Sequence, residues 1–185
     1  MMNILKFRSR KSSHNGYAVV TGAGSGIGRS FALELAKRNT AVVCADLNKE
    51  NAEKTVELVE RAGGVAYAIS CDVGKAAQVK RLAERSEKLL GNPVTLLVNN
   101  AGVGIGGKFD ELSLQDWKWA MDVNLWGVVH GCHYFTPRFK KQGGGAIINV
   151  ASAASYTAAP EMSAYNVTKA GVRALSETLY AELKR

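Results

Sequence analysis

The chain has 185 residues, 46% of them hydrophobic and 22% charged, with a net charge of +8. This suits one domain with a buried core and excludes a disordered chain, and no apolar run is long enough to span a bilayer. The 3 cysteines, Cys44, Cys71 and Cys132, lack paired spacing, which argues against a disulfide framework or zinc site and fits a reducing, cytoplasmic setting.

The positive charge is uneven. Lys6, Arg8, Arg10 and Lys11 fall within residues 1–15, and the first acid is Glu34. Residues 1–15 therefore read as a mobile basic tail, capable at most of a weak contact with an anionic membrane surface. The remaining charge suits an anionic small ligand and does not by itself imply nucleic acid.

From residue 16 onward, short apolar stretches alternate with helical spacing. Tyr17–Val20 is a strand, followed by the glycine-rich residues 22–28 and a helix over Ser30–Arg38. Ala41–Ala45 is a second strand ending at Asp46, and Lys49–Arg61 is an amphipathic helix stopped by Gly63 and Gly64. Val65–Ser70 is a third strand; Lys75–Leu90 is helical and ends at Gly91-Asn92-Pro93. Thr95–Val98 is a fourth strand leading into Asn99-Asn100-Ala101-Gly102. Leu114–Lys141 is one long or broken helix, bent by Pro137. Ala146–Val150 is a fifth strand, and a last helix starts near Ser163.

Apolar strands alternating with helices predict an α/β fold, a doubly wound, Rossmann-like parallel sheet of five strands with helices on both faces. Ligands of such sheets sit beyond the C-terminal ends of the strands. The loop Thr21–Gly28 lies there, between the first strand and the first helix. Residues without Cβ let backbone amides approach a pyrophosphate, and the helix N-terminus adds unpaired N–H groups. Gly22, Ser25, Gly26, Ile27 and Gly28 are the candidates. Asp46, with Leu47, ends the second strand, where a carboxylate can accept adenosine ribose hydroxyls and repel a 2′-phosphate. No basic residue flanks Asp46, which favours NAD over NADP, although Arg29 is close enough to reach a phosphate. Asp72 and Val73 end the third strand and suit an adenine edge; a helix cap is the competing role for Asp72.

These residues together resemble the short-chain dehydrogenase/reductase family. The marks are Thr21–Gly28 in TGxxxGxG spacing, Asp72, Asn99–Gly102, Asn124, Ser152 and Tyr165-x-x-x-Lys169, in the family's order from about Tyr17 onward. The resemblance implies a nicotinamide cofactor, a secondary alcohol or ketone as substrate, and a homodimer or homotetramer packed through residues 114–141 and 163–185. It implies that Asn100, Ala101 and Gly102 line the adenosine side, that Asn124 holds a water, and that Ser152, Tyr165 and Lys169 complete the active site. Residues 16–185 are thus expected to form a dinucleotide-binding and catalytic domain. The family usually continues with further strands, so a truncated member with an uncovered sheet edge is expected.

Tyr-x-x-x-Lys occurs twice, at Tyr165/Lys169 and Tyr180/Lys184. Ser152 and Tyr165 both belong to the ligand edge, whereas Tyr180 lies about 22 Å further down the helix at ~1.5 Å per residue. The first pair is therefore assigned to chemistry. Val103–Phe109 and Ala153–Met162, with Ile105, Phe109, Tyr156 and Met162, are expected to rim the substrate pocket. His130, His133, Trp117, Trp119 and Trp126 read as helix packing or interface groups. A catalytically silent dinucleotide-binding or sensing module is the alternative from another class. An epimerase of the extended branch is disfavoured by the G-x-x-x-G-x-G spacing.

Overall fold

The computed structural model describes residues 14–183 and the backbone of residues 4–6. A short strand, β1 (Ile4–Lys6), precedes β2 (Gly16–Thr21), α1 (Gly26–Lys37), β3 (Thr40–Asp46), α2 (Lys49–Arg61), β4 (Ala66–Ser70), α3 (Ala76–Leu90) and β5 (Leu96–Asn99). The chain continues through α4 (Leu114–Ala120), a π-helical segment Met121–Trp126, α5 (Gly127–Gln142), β6 (Ala146–Asn149), a 3₁₀ turn Ala153–Ser155 and α6 (Ser163–Leu183).

The sheet runs β1-β6-β5-β2-β3-β4. β2 through β6 are parallel, as the alternation predicts. β1 adds an antiparallel edge, with Ile4 opposite Ile148 and Lys6 opposite Ala146. Three residues of the basic stretch therefore pair with the sheet; residues 1–3 and 7–13, also assigned to a mobile tail, lie outside the described residues.

Successive residues of each strand face opposite sides, and both sides are covered. Val19, Val43, Leu97 and Ile147 pack with Leu82, Phe135, Phe139 and Val172 of α3, α5 and α6. Val20, Val42, Val98 and Ile148 pack with Ala32, Ala36, Ala52 and Val59 of α1 and α2. Full burial of such side chains stabilises by about 1.5–3 kcal/mol each, which is why the strands read as unbroken apolar runs. After β4, α3 returns the chain to the other side of β2. Consecutive connections therefore depart in opposite directions at the β2–β5 boundary, leaving a crevice there.

Two helices differ from the sequence expectation. α1 starts at Gly26 rather than near Ser30, so the last glycines of the loop occupy its first turn. The long helix is interrupted by the π-helical segment and not at Pro137, which sits within α5. α4 is started by a reciprocal pair, the Ser113 hydroxyl accepting from Asp116 N–H while the Asp116 carboxylate accepts from Ser113 N–H.

A polar cluster between β5, β6 and α6 lies within the apolar interior. Asn99 and Asn149 occupy matched positions on β5 and β6. Asn99 Nδ2 donates to Asn149 Oδ1 at 2.9 Å, Asn149 Nδ2 donates to Ser176 Oγ at 2.9 Å, and Ser176 Oγ donates to Val172 O at 2.7 Å. All three side chains are buried. A Cβ added at Gly131 would lie 2.1 Å from Asn99 Oδ1. Gly131→Ala is therefore expected to lower stability by roughly 1–3 kcal/mol, even though alanine favours a helix by about 1 kcal/mol. Chemical denaturation monitored by circular dichroism checks the sign.

Candidate active site

The glycine loop is shaped by close approach. Gly22 has φ +64, and a Cβ there would meet Ala101 Cα at 2.8 Å. A Cβ at Gly28 would lie 2.1 Å from Gly22 O and 2.5 Å from Asn100 Nδ2. Gly28 is thus a packing glycine, buried beneath the loop rather than facing a ligand. Gly26 has φ +48 and open space around it.

Thr21 and Asn100 tie the ends of β2 and β5 together. Thr21 Oγ1 accepts from Asn100 N at 3.0 Å and Ala101 N at 3.1 Å, and donates to Val98 O at 3.4 Å. Asn100 Nδ2 donates to Thr21 O at 2.9 Å and Gly22 O at 3.3 Å. The crevice opens above this tie as a cleft of about 890 Å³.

Its lining joins nearly all the candidate residues. Gly22, Ser25, Gly26, Ile27, Asp46 and Leu47 form one end; Cys71, Asp72 and Val73 follow; Asn100, Ala101 and Gly102 come directly after β5. Ser152, Met162, Tyr165 and Lys169 form the other end. Asn124 is fully buried behind the wall and does not line it. Of the expected rim, Val103, Gly104 and Met162 line the cleft, while Ile105, Phe109 and Tyr156 do not. Phe109 instead meets Trp117 edge-on at 6.0 Å, and Arg173 sits over the Tyr156 ring at 4.6 Å. Trp119 and Val123 do line the cleft. Trp119 had the pattern of a packing residue; the usable signal was its i, i+4 spacing with Val123, next to Asn124.

The acidic groups are held by backbone amides. Asp46 accepts from Gly24 N at 2.8 Å and Asn48 N at 2.9 Å. Asp72 accepts from Gly74 N at 2.9 Å, while Lys75 occupies the cap position of α3. Arg29 donates to Thr55 Oγ1 at 3.0 Å and to Gly24 O, which turns it toward α2 and the loop backbone. Ser25 is the N-cap residue of α1, and its side chain makes no capping hydrogen bond. Asn48 at α2 and Ser113 at α4 do cap. The first N–H groups of α1 are therefore left for an anion at the cleft mouth. These features fit the pyrophosphate of a dinucleotide.

Lys169 is 4% exposed, and its Nζ donates to Val150 O at 2.9 Å. The ammonium lies 5.8 Å from the centre of the Tyr165 ring. No carboxylate among the described residues forms an ion pair with it, and burial lowers its pKa from the ordinary 10.5. Ser152 Oγ accepts from Ala154 N at 3.2 Å, leaving its own proton to donate. The other Tyr-Lys pair is elsewhere: Tyr180 is 44% exposed on α6 and outside the cleft, and Lys184 lies outside the described residues. Burial pushes the Cys44 and Cys71 thiols up to about 12 and Cys132 to about 11, so none is a ready nucleophile. His130 stacks on Trp126 at 5.8 Å, and its Nδ1–H donates to Val73 O at 2.9 Å.

The sequence of residues 16–185 matches the short chain dehydrogenase family. The chain belongs to that family. Cyclohexanol dehydrogenase of Acinetobacter sp. is 38% identical over 170 residues, 91% of this chain and 67% of that protein. The protein named "Probable oxidoreductase EphD" of Mycobacterium tuberculosis is 40% identical over 165 residues, 89% of this chain but 28% of its own length. Among solved structures, a short chain dehydrogenase/reductase from Burkholderia phymatum in complex with NAD superposes with TM-score 0.89 at 40% identity, covering 92% of this chain and 61% of that one. A 7α-hydroxysteroid dehydrogenase complexed with NADH and 7-oxo glycochenodeoxycholic acid superposes with TM-score 0.83 at 32% identity, covering 88% and 63%. The chain thus spans between about a quarter and two thirds of the length of these relatives. Among the described residues, no helix is long and apolar enough to cross a membrane.

Lys169 gives a measurable electrostatic signature. Its folded-state pKa lies below the unfolded value of 10.5. Between those two values the unfolded chain binds the proton and the folded chain does not, so stability rises with pH across that window. Lys169→Met should remove this rise while leaving stability at neutral pH equal to or above that of the parent. Urea titrations of both proteins from neutral pH toward the ordinary lysine range make the comparison.

Proposed function

We propose that this chain supplies the dinucleotide-binding and catalytic part of an NAD(H)-dependent oxidoreductase acting on a secondary alcohol or ketone. The observation that carries the reading is the buried, carboxylate-free Lys169 ammonium beside the Tyr165 ring, in the same cleft as the glycine loop. When bound, a nicotinamide dinucleotide supplies the hydride acceptor or donor.

The protein's own groups then handle the substrate oxygen and its proton. Tyr165 accepts the carbinol proton in oxidation and returns it in reduction. The Lys169 ammonium, buried beside the ring, favours the oxyanion form that takes the proton. Ser152 donates to the substrate oxygen and aligns it with Tyr165. Asn124 Oδ1 accepts one bond from Val103 N, and its second lone pair suits a water on the path from Lys169 to solvent.

Asp46 at the ribose end and the engagement of Arg29 by Thr55 and Gly24 favour NAD over NADP. The Met162, Val123 and Trp119 walls suit a neutral, apolar substrate. Exposed Trp126, Val167 and Tyr180 on the π-helical segment and α6 favour a homodimer or homotetramer through those helices. The free, buried cysteines suit the cytoplasm.

Tyr165→Phe is expected to lower NADH-linked turnover of a secondary-alcohol panel by at least about a thousandfold, roughly 4 kcal/mol, while NADH affinity stays within a few-fold. Tyr180→Phe is expected to leave turnover nearly unchanged. Damage by the second substitution and not the first would reverse the assignment. NADH binding without turnover of any alcohol would favour the silent binding module. Asp46→Ala should weaken NADH binding by about tenfold, or ~1.4 kcal/mol, and NADPH binding much less. Fluorescence titration with the two cofactors decides, and equal losses would remove the argument for NAD.

A further inference from the structure

Behind the cleft, a chain of hydrogen bonds runs in one direction through Thr168. Thr168 and Asn124 are both fully buried. The Thr168 hydroxyl donates to Tyr165 O at 2.8 Å and accepts from Asn124 Nδ2 at 3.4 Å. Asn124 Nδ2 also donates to Val103 O at 2.9 Å, and Asn124 Oδ1 accepts from Val103 N at 2.7 Å. A hydroxyl has a single proton. With that proton on Tyr165 O, Thr168 offers Asn124 only lone pairs, so the amide can present only its N–H end.

The direction has consequences on both sides of Asn124. Its carbonyl is turned to Val103 N–H, which holds the Val103–Gly104 wall of the cleft. The same oxygen faces Gly102, where a single added methyl would lie 3.1 Å from Asn124 Oδ1 and 3.6 Å from Lys169 Nζ. A reversed amide would set N–H against N–H and C=O against C=O at Val103. Ordinary back-bonding of a helical threonine explains the bond to Tyr165 O but not the acceptance from Asn124.

We infer that Thr168 is a positioning residue whose hydroxyl, acting with the Val103 backbone pair, holds the amide direction of Asn124 and through it the Val103 wall of the cleft. Its effect on turnover rests on the reading of Tyr165 and Lys169 given above; its effect on Asn124 does not. Thr168→Val keeps the shape and removes the hydroxyl, Thr168→Ser keeps the hydroxyl, and Thr168→Ala serves the same comparison should valine not be tolerated.

The test is amide hydrogen exchange by NMR on the full chain, following Val103 N–H against the core amide of Val43 as a reference for global opening. Exchange at Val103 relative to Val43 is expected to quicken by about tenfold in Thr168→Val and to return within about twofold of the parent in Thr168→Ser. An unchanged ratio in Thr168→Val, or no recovery in Thr168→Ser, overturns the inference whether or not a probe ketone is turned over. With cyclohexanone and NADH, kcat is expected to fall about tenfold in Thr168→Val, with KM for NADH within about twofold. If Tyr165→Phe retains full turnover, the acid/base reading fails while the exchange result still stands by itself.

Discussion

The cleft depends on one constraint, the tie between Thr21 and Asn100 where β2 and β5 part company. Parallel strands alone leave a gap at this boundary, because the connecting helices leave on opposite faces. The Thr21 hydroxyl takes two successive N–H groups from the β5 loop, and the Asn100 amide takes two successive carbonyls from the β2 loop. Each side satisfies backbone groups that would otherwise lie half-buried and unpaired, at about 1–3 kcal/mol apiece. The two loops are thereby fixed relative to each other, and the glycines at 22 and 28 allow them to touch.

On this frame the edge carries two positive features of different origin. One is the first turn of α1, whose N–H groups carry partial charge and lack a side-chain cap. The other is the full charge of Lys169, held in an apolar setting by one carbonyl. Asp46 and Asp72 are acidic but tethered to amides, so they do not swing in to neutralise either feature. The result is a cleft with unpaired helix N–H groups beside the glycine loop and a buried ammonium beside Tyr165. Helix α6 supports the second of these from its first turns, where Tyr165, Thr168 and Lys169 face three different neighbours.

Much of this was legible in the residue order. Double-sided burial makes β2, β3, β5 and β6 uniformly apolar, and the loop glycines, Asp46, Ser152 and the Tyr165/Lys169 pair could be placed by their position after strands. The second Tyr-x-x-x-Lys motif shows why position was needed, since its local spacing is identical and Tyr180 lies outside the cleft. Other features had no local signal. Three residues of edge strand at Ile4–Lys6 are too short for a period to show. The start of α1 at Gly26 runs against glycine's low helix propensity and is decided by loop packing. The π-helical segment carries Asn124 to Val103, a contact between residues far apart in the chain that leaves no local pattern. Trp119 reads as packing on a helical wheel because its cleft-facing role depends on what lies opposite.

The facing amides of Asn99 and Asn149 illustrate how a protein can select its arrangement by penalising the alternatives. In the native rungs each carboxamide finds a mate, and Ser176 takes the remaining donor. Slide β6 by one residue against β5 and Asn149 turns to the opposite face, amid the valines and alanines around Val98 and Ile148. Two amides would then be dehydrated without compensation, at a cost of several kcal/mol. Neither residue needs to touch a ligand for this to matter: an aliphatic pair at these positions would accept several alignments, whereas the asparagines tolerate one, and the edge that carries Ser152 inherits that uniqueness.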